Sequence, residues 1–195
     1  MTAHVPHVLV VSPHAPRASI IGQGLCEAGC TRVTHLRGLE NVLRRIVDVD
    51  PDVIFLDVGT PEPALLEQVL EVVRCVRRPV AIFADRSDTW MIAAAADSGV
   101  GAYVVDGLRK ERVKAILDTA MSRFRVFQRM SDELERTKRQ LEERKVIERA
   151  KGILMRERSL SEADAYGLLR KAAMNENRRL AEVARCVVKA ASPVK

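Results

Sequence analysis

Glu148-Arg-Ala-Lys-Gly-Ile-Leu-Met155, Leu160-Ser-Glu-Ala-Asp-Ala-Tyr166, Leu168-Leu-Arg-Lys-Ala-Ala-Met174 and Asn177-Arg-Arg-Leu-Ala-Glu-Val-Ala184 form a helical run near the end of the chain, punctuated by two short polar breaks. At the first break, Ser159-Leu-Ser161 precedes Glu162 and Asp164, an N-cap with first-turn acids that answer the free amides and the positive end of a helix. The pattern predicts a helix from Glu162 to about Asn175 with Ala165, Leu168, Leu169, Ala172 and Ala173 on one side. Asn175-Glu-Asn177 is the second break, and either Asn can cap a last helix from Arg178 to about Ala190 that packs through Leu180, Val183, Ala184 and Val187. Ala150, Gly152, Ala165 and Ala172 allow close helix approach, and Leu154, Met155, Tyr166, Leu169 and Met174 are expected in the core.

This run also holds nearly all the excess positive charge. Residues 144–195 carry 13 Lys/Arg against 6 Asp/Glu, a net of +7, whereas residues 1–143 carry 19 against 20, a net of −1. A basic module on a neutral body suits an acidic partner, of which nucleic acid is the commonest, against the plainer reading of a solvated helical face. Hydrophobic content of 47% supports a core, while 30% charge with 4% aromatic residues favours a helix-rich soluble protein. No apolar run approaches the roughly 20 residues of a membrane span, and the first residues lack a signal peptide's basic start, so a cytoplasmic protein without membrane contact is expected. Cys26, Cys30, Cys75 and Cys186 show no metal-ligand spacing and are expected to be reduced, mostly packing residues; no cofactor or metal is implied.

Upstream the period changes. His7–Ser12, Arg32–Leu36, Asp52–Leu56, Val80–Phe83 and Ala102–Val105 are short β-branched runs, as in buried parallel strands. Ala18–Ala28, Leu39–Val47, Ala64–Val76 and Thr89–Ser98 alternate with them at helical spacing, predicting a doubly wound α/β domain with a five-stranded parallel sheet. There is then no Pro between Pro79 and Pro193 and no Gly between Gly107 and Gly152, so residues 108–151 can form one helix, about 66 Å long at 1.5 Å per residue. Val113, Leu117 and Ala120 should cover the sheet. Beyond about Arg125 the apolar positions Phe124, Phe127, Leu134 and Leu141 need another helix, and a short coiled coil with a second copy would supply it, although Ser131 and Lys138 interrupt the seam. The alternative is an exposed charged helix. The implied division is 1–122, 123–143 for a coiled-coil linker, and 144–195.

The α/β half resembles the receiver domain of response regulators, and the C-terminal run resembles the ANTAR domain, a small helical RNA-binding module. A receiver that accepts a phosphoryl group needs an acidic pair after strand one, an Asp after strand three, a hydroxyl after strand four and a Lys after strand five. Asp57 occupies the nucleophile position, but the other strands end Ser12-Pro13-His14, Ala84-Asp85 and Asp106-Gly107. With nothing evident to balance the gathering negative charge, Asp57 is expected to be structural or capping and the domain a pseudo-receiver.

Receiver, long helix and ANTAR domain together resemble antiterminators of the AmiR and NasT type, and Ala102-Tyr-Val-Val-Asp-Gly-Leu108 and Leu141-Glu-Glu-Arg-Lys-Val-Ile-Glu-Arg-Ala-Lys-Gly152 are similar to the NasT branch in particular. That resemblance implies a non-enzymatic regulator of nitrate and nitrite assimilation genes, held by a nitrate-sensing inhibitory protein and binding paired hairpins in leader mRNA when released. RNA contacts fall to Lys151, Arg170, Lys171, Arg178 and Arg179 for phosphate, while Asn177 either reads a base or caps a helix and Tyr166, favoured as core, has stacking on an unpaired base as its alternative. Arg144, Lys145 and Arg149 either add non-specific attraction or solubilise the helix. Two rivals remain: a DNA-binding response regulator, disfavoured because no short Gly-containing turn joins two helices, and a protein-binding scaffold with an incidental basic tail. Enzymatic activity finds no support, since His4, His7, His14 and His35 form no triad or metal spacing.

Overall fold

Apolar runs too short for helices but flanked by turn residues become strands, and the structure, a computed structural model that describes residues 5–191, places all five in one sheet. The domain limits at Met1 and Lys195, together with His4 and Pro193, lie outside the described residues. The elements follow as β1 (His7–Val11), α1 (Ala15–Glu27), β2 (Arg32–Leu36), α2 (Val42–Val49), β3 (Val53–Gly59), α3 (Pro63–Cys75), β4 (Val80–Ala84), α4 (Thr89–Asp97), β5 (Ala102–Val105), α5 (Lys110–Arg158), α6 (Glu162–Asn175) and α7 (Leu180–Ala191). Every strand pair is parallel, in the order β2-β1-β3-β4-β5. This is a doubly wound sheet whose order reverses between β1 and β3, and ligand sites of such sheets lie at the carboxyl ends of those strands. The expected α/β plus all-α fold is present.

The two-residue period sorts the core. Leu9, Val11, Ile54, Leu56 and Ile82 face α2, α3 and α4, while Val8, Val10, Phe55, Phe83 and Ala102 face α1 and α5. On the second face Val113, Leu117 and Ala120 of α5 are buried as expected. β3 runs to Gly59 rather than stopping at Leu56, because Gly59 pairs with Ala84 past an irregularity at Asp57 and takes a positive φ of 58°. α2 begins at Val42 rather than Leu39, since Asn41 adopts a left-handed backbone that delays the helix.

The chain divides after Arg129 into two compact units, and α5 contributes to both. It continues through Gly152 to Arg158, seven residues past the expected end; Ala150 and Leu154 on either side of the glycine are buried in the second unit's core. Ser159, at φ 50°, ends it. Ser161 then caps α6 by accepting a hydrogen bond from the Asp164 amide at 3.2 Å, as expected. The end of α6 corrects the sequence reading. Asn177 caps no following helix; it sits at φ 51° just past α6, its amide donating to Met174 O at 3.3 Å and the Arg178 amide to Ala173 O at 2.9 Å. That is a Schellman closure with Asn where Gly is usual. α7 consequently starts at Leu180, and residues 176–179 alone join it to α6. A short interhelical turn therefore exists, with Asn177 in the glycine role, and its absence no longer argues against a DNA-binding arrangement.

Gly24 on α1 shows how tightly α5 is seated. A Cβ there would lie 2.6 Å from the Lys110 carbonyl oxygen and 2.6 Å from Val113 Cβ. Gly24→Ala is expected to destabilise the first unit by about 1–3 kcal/mol through overpacking, measured as a lowered urea midpoint with unchanged slope.

Candidate nucleic-acid interface and the occupied receiver site

Ser12, at the end of β1, and Asp57, in β3, meet where the sheet order reverses. Asp57 is buried, accepting a hydrogen bond from Ser12 Oγ at 2.6 Å and one from the Gly59 amide at 3.3 Å. Arg17 in the first turn of α1 reaches both Asp57 oxygens through Nε, at 2.8 and 2.9 Å, and its Nη1 pairs with Asp85 after β4. Asp57 is thus not a lone acid, as the sequence suggested, since a guanidinium balances it. Arg17 was not singled out from the sequence, although a signal existed. A cation in the first turn opposes the helix dipole and invites the search for a buried carboxylate. The Ser87 hydroxyl, also missed, donates toward the Tyr103 hydroxyl at 3.1 Å, three residues past the Ala84 expected to replace the switch hydroxyl. Asp106 after β5 is exposed and left-handed at φ 46°. No group of three potential metal ligands is found among the described residues.

In the second unit, Ala150, Leu154, Ala165, Leu169, Ala173, Val183 and Ala184 pack α5, α6 and α7 together. Lys151 is buried beside this core at 8% exposure, its Nζ 2.7 Å from Glu162 and 2.9 Å from Glu148. These two carboxylates, Glu162 first, hold the ammonium above its ordinary pKa, and Lys151 in turn holds Glu162 below the usual carboxylate range. The pair therefore contributes stability between the carboxylate and lysine ranges. That contribution is lost as pH falls through the depressed Glu162 value or rises through the elevated Lys151 value.

α6 turns its other side to solvent. Tyr166 (43% exposed) and Met174 (72%) had been expected in the core together with Met155, and all three are exposed. The core positions Ala165, Leu169 and Ala173 repeat every four residues, so the next residue in each turn falls on the rim. Leu154 and Leu169 are buried as expected, while Leu168 is exposed. Tyr166 and Arg170 stand one turn apart, as do Gly167 and Lys171, all four exposed. Arg178 and Arg179 are exposed in the turn after α6. Arg178 is engaged locally, 3.0 Å from Glu176 and 3.6 Å from Glu182, with Nη2 3.5 Å from Cys186 Sγ; the thiol and the Glu176 carboxylate push its pKa up.

Along α5, Phe127, Leu134 and Leu141 are about half exposed, and Met130 more so. Phe124 is half-buried. The cysteines depart from the packing role expected of them: all four are free thiols, with Cys30 buried and Cys26, Cys75 and Cys186 exposed. Removing the guanidinium would leave Asp57 a buried, uncompensated charge. Arg17→Ala is expected to destabilise the first unit by about 2–4 kcal/mol, and Arg17→Met with Asp57→Asn to recover most of that loss in denaturant melts.

Comparison with known proteins sharpens these observations. Residues 135–188 match the ANTAR domain family. The transcriptional regulatory protein PdtaR of Mycobacterium tuberculosis is 28% identical over 138 residues, 71% of this chain and 67% of that protein. The nitrate regulatory protein of Klebsiella oxytoca is 39% identical over 75 residues, 38% of this chain but 19% of that protein. Among solved structures, a response regulator from Thermotoga maritima superposes with a TM-score of 0.52 at 19% identity, over 60% of this chain and 98% of its own. The signal receiver domain of a modulated diguanylate cyclase from Desulfovibrio desulfuricans G20 gives 0.53 at 15%, over 63% and 98%. At such identities these two similarities bear on the fold, which is that of a receiver. The chain thus joins a receiver-like α/β fold to a C-terminal segment, residues 135–188, that matches the ANTAR domain family.

Proposed function

We propose that this protein is a cytoplasmic RNA-binding antitermination regulator whose outward α6 face engages hairpin loops in leader mRNA. The observation that carries this reading is the joint exposure of Tyr166, Arg170 and Lys171 on one helix. A ring that can stack on an unpaired base then lies one turn from a guanidinium that can hold phosphate, the chemistry that single-stranded RNA loops demand. Arg178, Arg179 and Asn177 extend the face into the turn. Lys151, buried and doubly paired, acts by fixing the start of α6 against α5 rather than by touching RNA. In the division of labour, residues 1–122 are the pseudo-receiver, 123–143 the linker and 144–195 the RNA-binding domain.

Two further parts of the reading concern control. Arg17 fills the receiver site with a fixed positive charge, so the input is a protein rather than a phosphoryl group. Exposed Trp90 and Ile92 on α4 and Val105 at the end of β5 suit such a partner. The resemblance to NasT-type systems, with the nitrate regulatory protein among the relatives, supports a nitrate-sensing partner and nitrate or nitrite assimilation genes as targets. Phe127, Leu134 and Leu141 recur every seven residues with Met130 between the first two, a seam for a second copy, and a dimer matches two hairpins with two α6 faces.

The direct test is titration of the protein against a two-hairpin leader RNA, a loop-scrambled RNA and duplex DNA. Tight binding only to the first is expected, with Tyr166→Ala and Arg170→Ala each weakening it about tenfold or more, in line with stacking worth roughly 1–3 kcal/mol per base. Equal binding to all three would return the basic charge to general electrostatics. Gly167 separates stability from binding, because a Cβ there meets nothing within 4 Å. Gly167→Ala should stabilise the domain by about 0.5–1 kcal/mol in thermal melts while weakening RNA binding, since it thickens the side presented to the ligand. Leu134→Glu with Leu141→Glu should yield monomers in sedimentation runs and cost affinity for two linked hairpins more than for one.

A further inference from the structure

Two segments of the first unit are rich in arginine and carry no carboxylate of their own. Residues 72–84, which finish α3 and enter β4, carry Arg74, Arg77 and Arg78 and no Asp or Glu. Residues 119–131 of α5 carry Arg123, Arg125 and Arg129, again with no Asp or Glu. Asp50 takes up Arg78 at 2.6 Å. Arg77, Phe124, Arg125, Gln128 and Arg129 line an open surface cavity of about 580 Å³.

Arg125 and Arg129 stand one turn apart on an exposed face, where like charges repel. Their one recorded contact, Arg129 Nε to the Arg125 carbonyl oxygen at 3.3 Å, neutralises neither, and no carboxylate pairs with either among the described residues. An anion between them would relieve the repulsion, and a phosphate fits the paired forks of two guanidiniums. Phe124 is half-buried in the same wall and Gln128 presents an amide that can both donate and accept. Charge for a phosphate, a ring edge or face for a base and an amide for its polar edge are the parts of a nucleotide site.

We propose that this cavity binds a single-stranded nucleotide, the phosphate on Arg125 and Arg129 and the base against Phe124 and Gln128. Its natural source is the unpaired RNA beside the hairpins, so the proposal deepens the RNA-binding reading and rests on it for the identity of the ligand. A free nucleotide offers the same chemistry from another source.

The test uses the full chain, Arg125→Gln/Arg129→Gln, and Arg123→Gln/Arg136→Gln as a charge-matched control. The probes are a fluorescein-labelled oligouridylate of about ten nucleotides and a two-hairpin RNA trimmed of its flanks, followed by anisotropy across a salt series. The cavity variant should bind oligouridylate about tenfold more weakly, with a salt slope shallower by about 1.4, roughly 0.7 for each lost contact, and keep its affinity for trimmed hairpins within about twofold. The control should match the unmodified protein. Displacement of oligouridylate by ATP at low millimolar concentration would support the site and assign it to free nucleotides. Unchanged oligouridylate binding in the cavity variant would overturn the proposal, as would equal losses in the control or on both probes. If trimmed hairpins fail to bind the unmodified protein while the oligouridylate effect persists, the hairpin reading falls and the nucleotide site stands.

Discussion

A single helix has to satisfy two hydrophobic cores, and that constraint shapes the chain from Lys110 onward. Val113, Leu117 and Ala120 of α5 close one face of the receiver-type sheet, and Ala150 and Leu154 of the same helix build the core of the ANTAR unit. A helix of 49 residues with no proline or left-handed residue inside it meets this demand by keeping its apolar positions at three-four spacing at both ends. Between the residues that reach either core, Met130, Leu134 and Leu141 of α5 stand exposed.

Each unit also holds one cation between two acids. Arg17 bridges Asp57 and Asp85, tying α1 to the ends of β3 and β4, and Lys151 bridges Glu148 and Glu162, tying the start of α6 to α5. Both cations make the breaking of one partner costly, because a buried or half-buried charge would remain without compensation. In the receiver-like unit the Arg17 guanidinium lies against the Asp57 carboxylate and balances its charge. In the ANTAR unit the ammonium holds the first residue of α6, which Ser161 caps, against α5.

The regular elements were legible because they follow from local chemistry. The Ser161 cap with its first-turn acids predicted where α6 starts, and the β-branched runs predicted all five strands. What escaped the sequence was long-range or rotational. Arg17 finds Asp57 across 40 positions, and only its awkward place at a helix start could have raised the question. Tyr166 was expected inside because apolar residues surround it in sequence. In α6, however, the core is filled by Ala165, Leu169 and Ala173, and a shift of one position carries the ring to the surface. Lys151 looked like a phosphate ligand for the opposite reason, since a lysine in a basic run gives no sign that it folds inward onto two glutamates. Asn177 took the left-handed position at the end of α6, a place where Gly is commoner and whose occupant composition alone does not reveal.

The exposed α6 face is the surface on which the RNA-binding reading turns, and photo-crosslinking interrogates it directly. The full chain would be irradiated with a two-hairpin RNA carrying 4-thiouridine in its loops, and the adducts mapped by mass spectrometry. Loop adducts on Tyr166 and its α6 neighbours, abolished by an excess of the same RNA without the label, are the predicted result. Loop adducts confined to other elements, with none on α6, would contradict the assignment of this face to RNA.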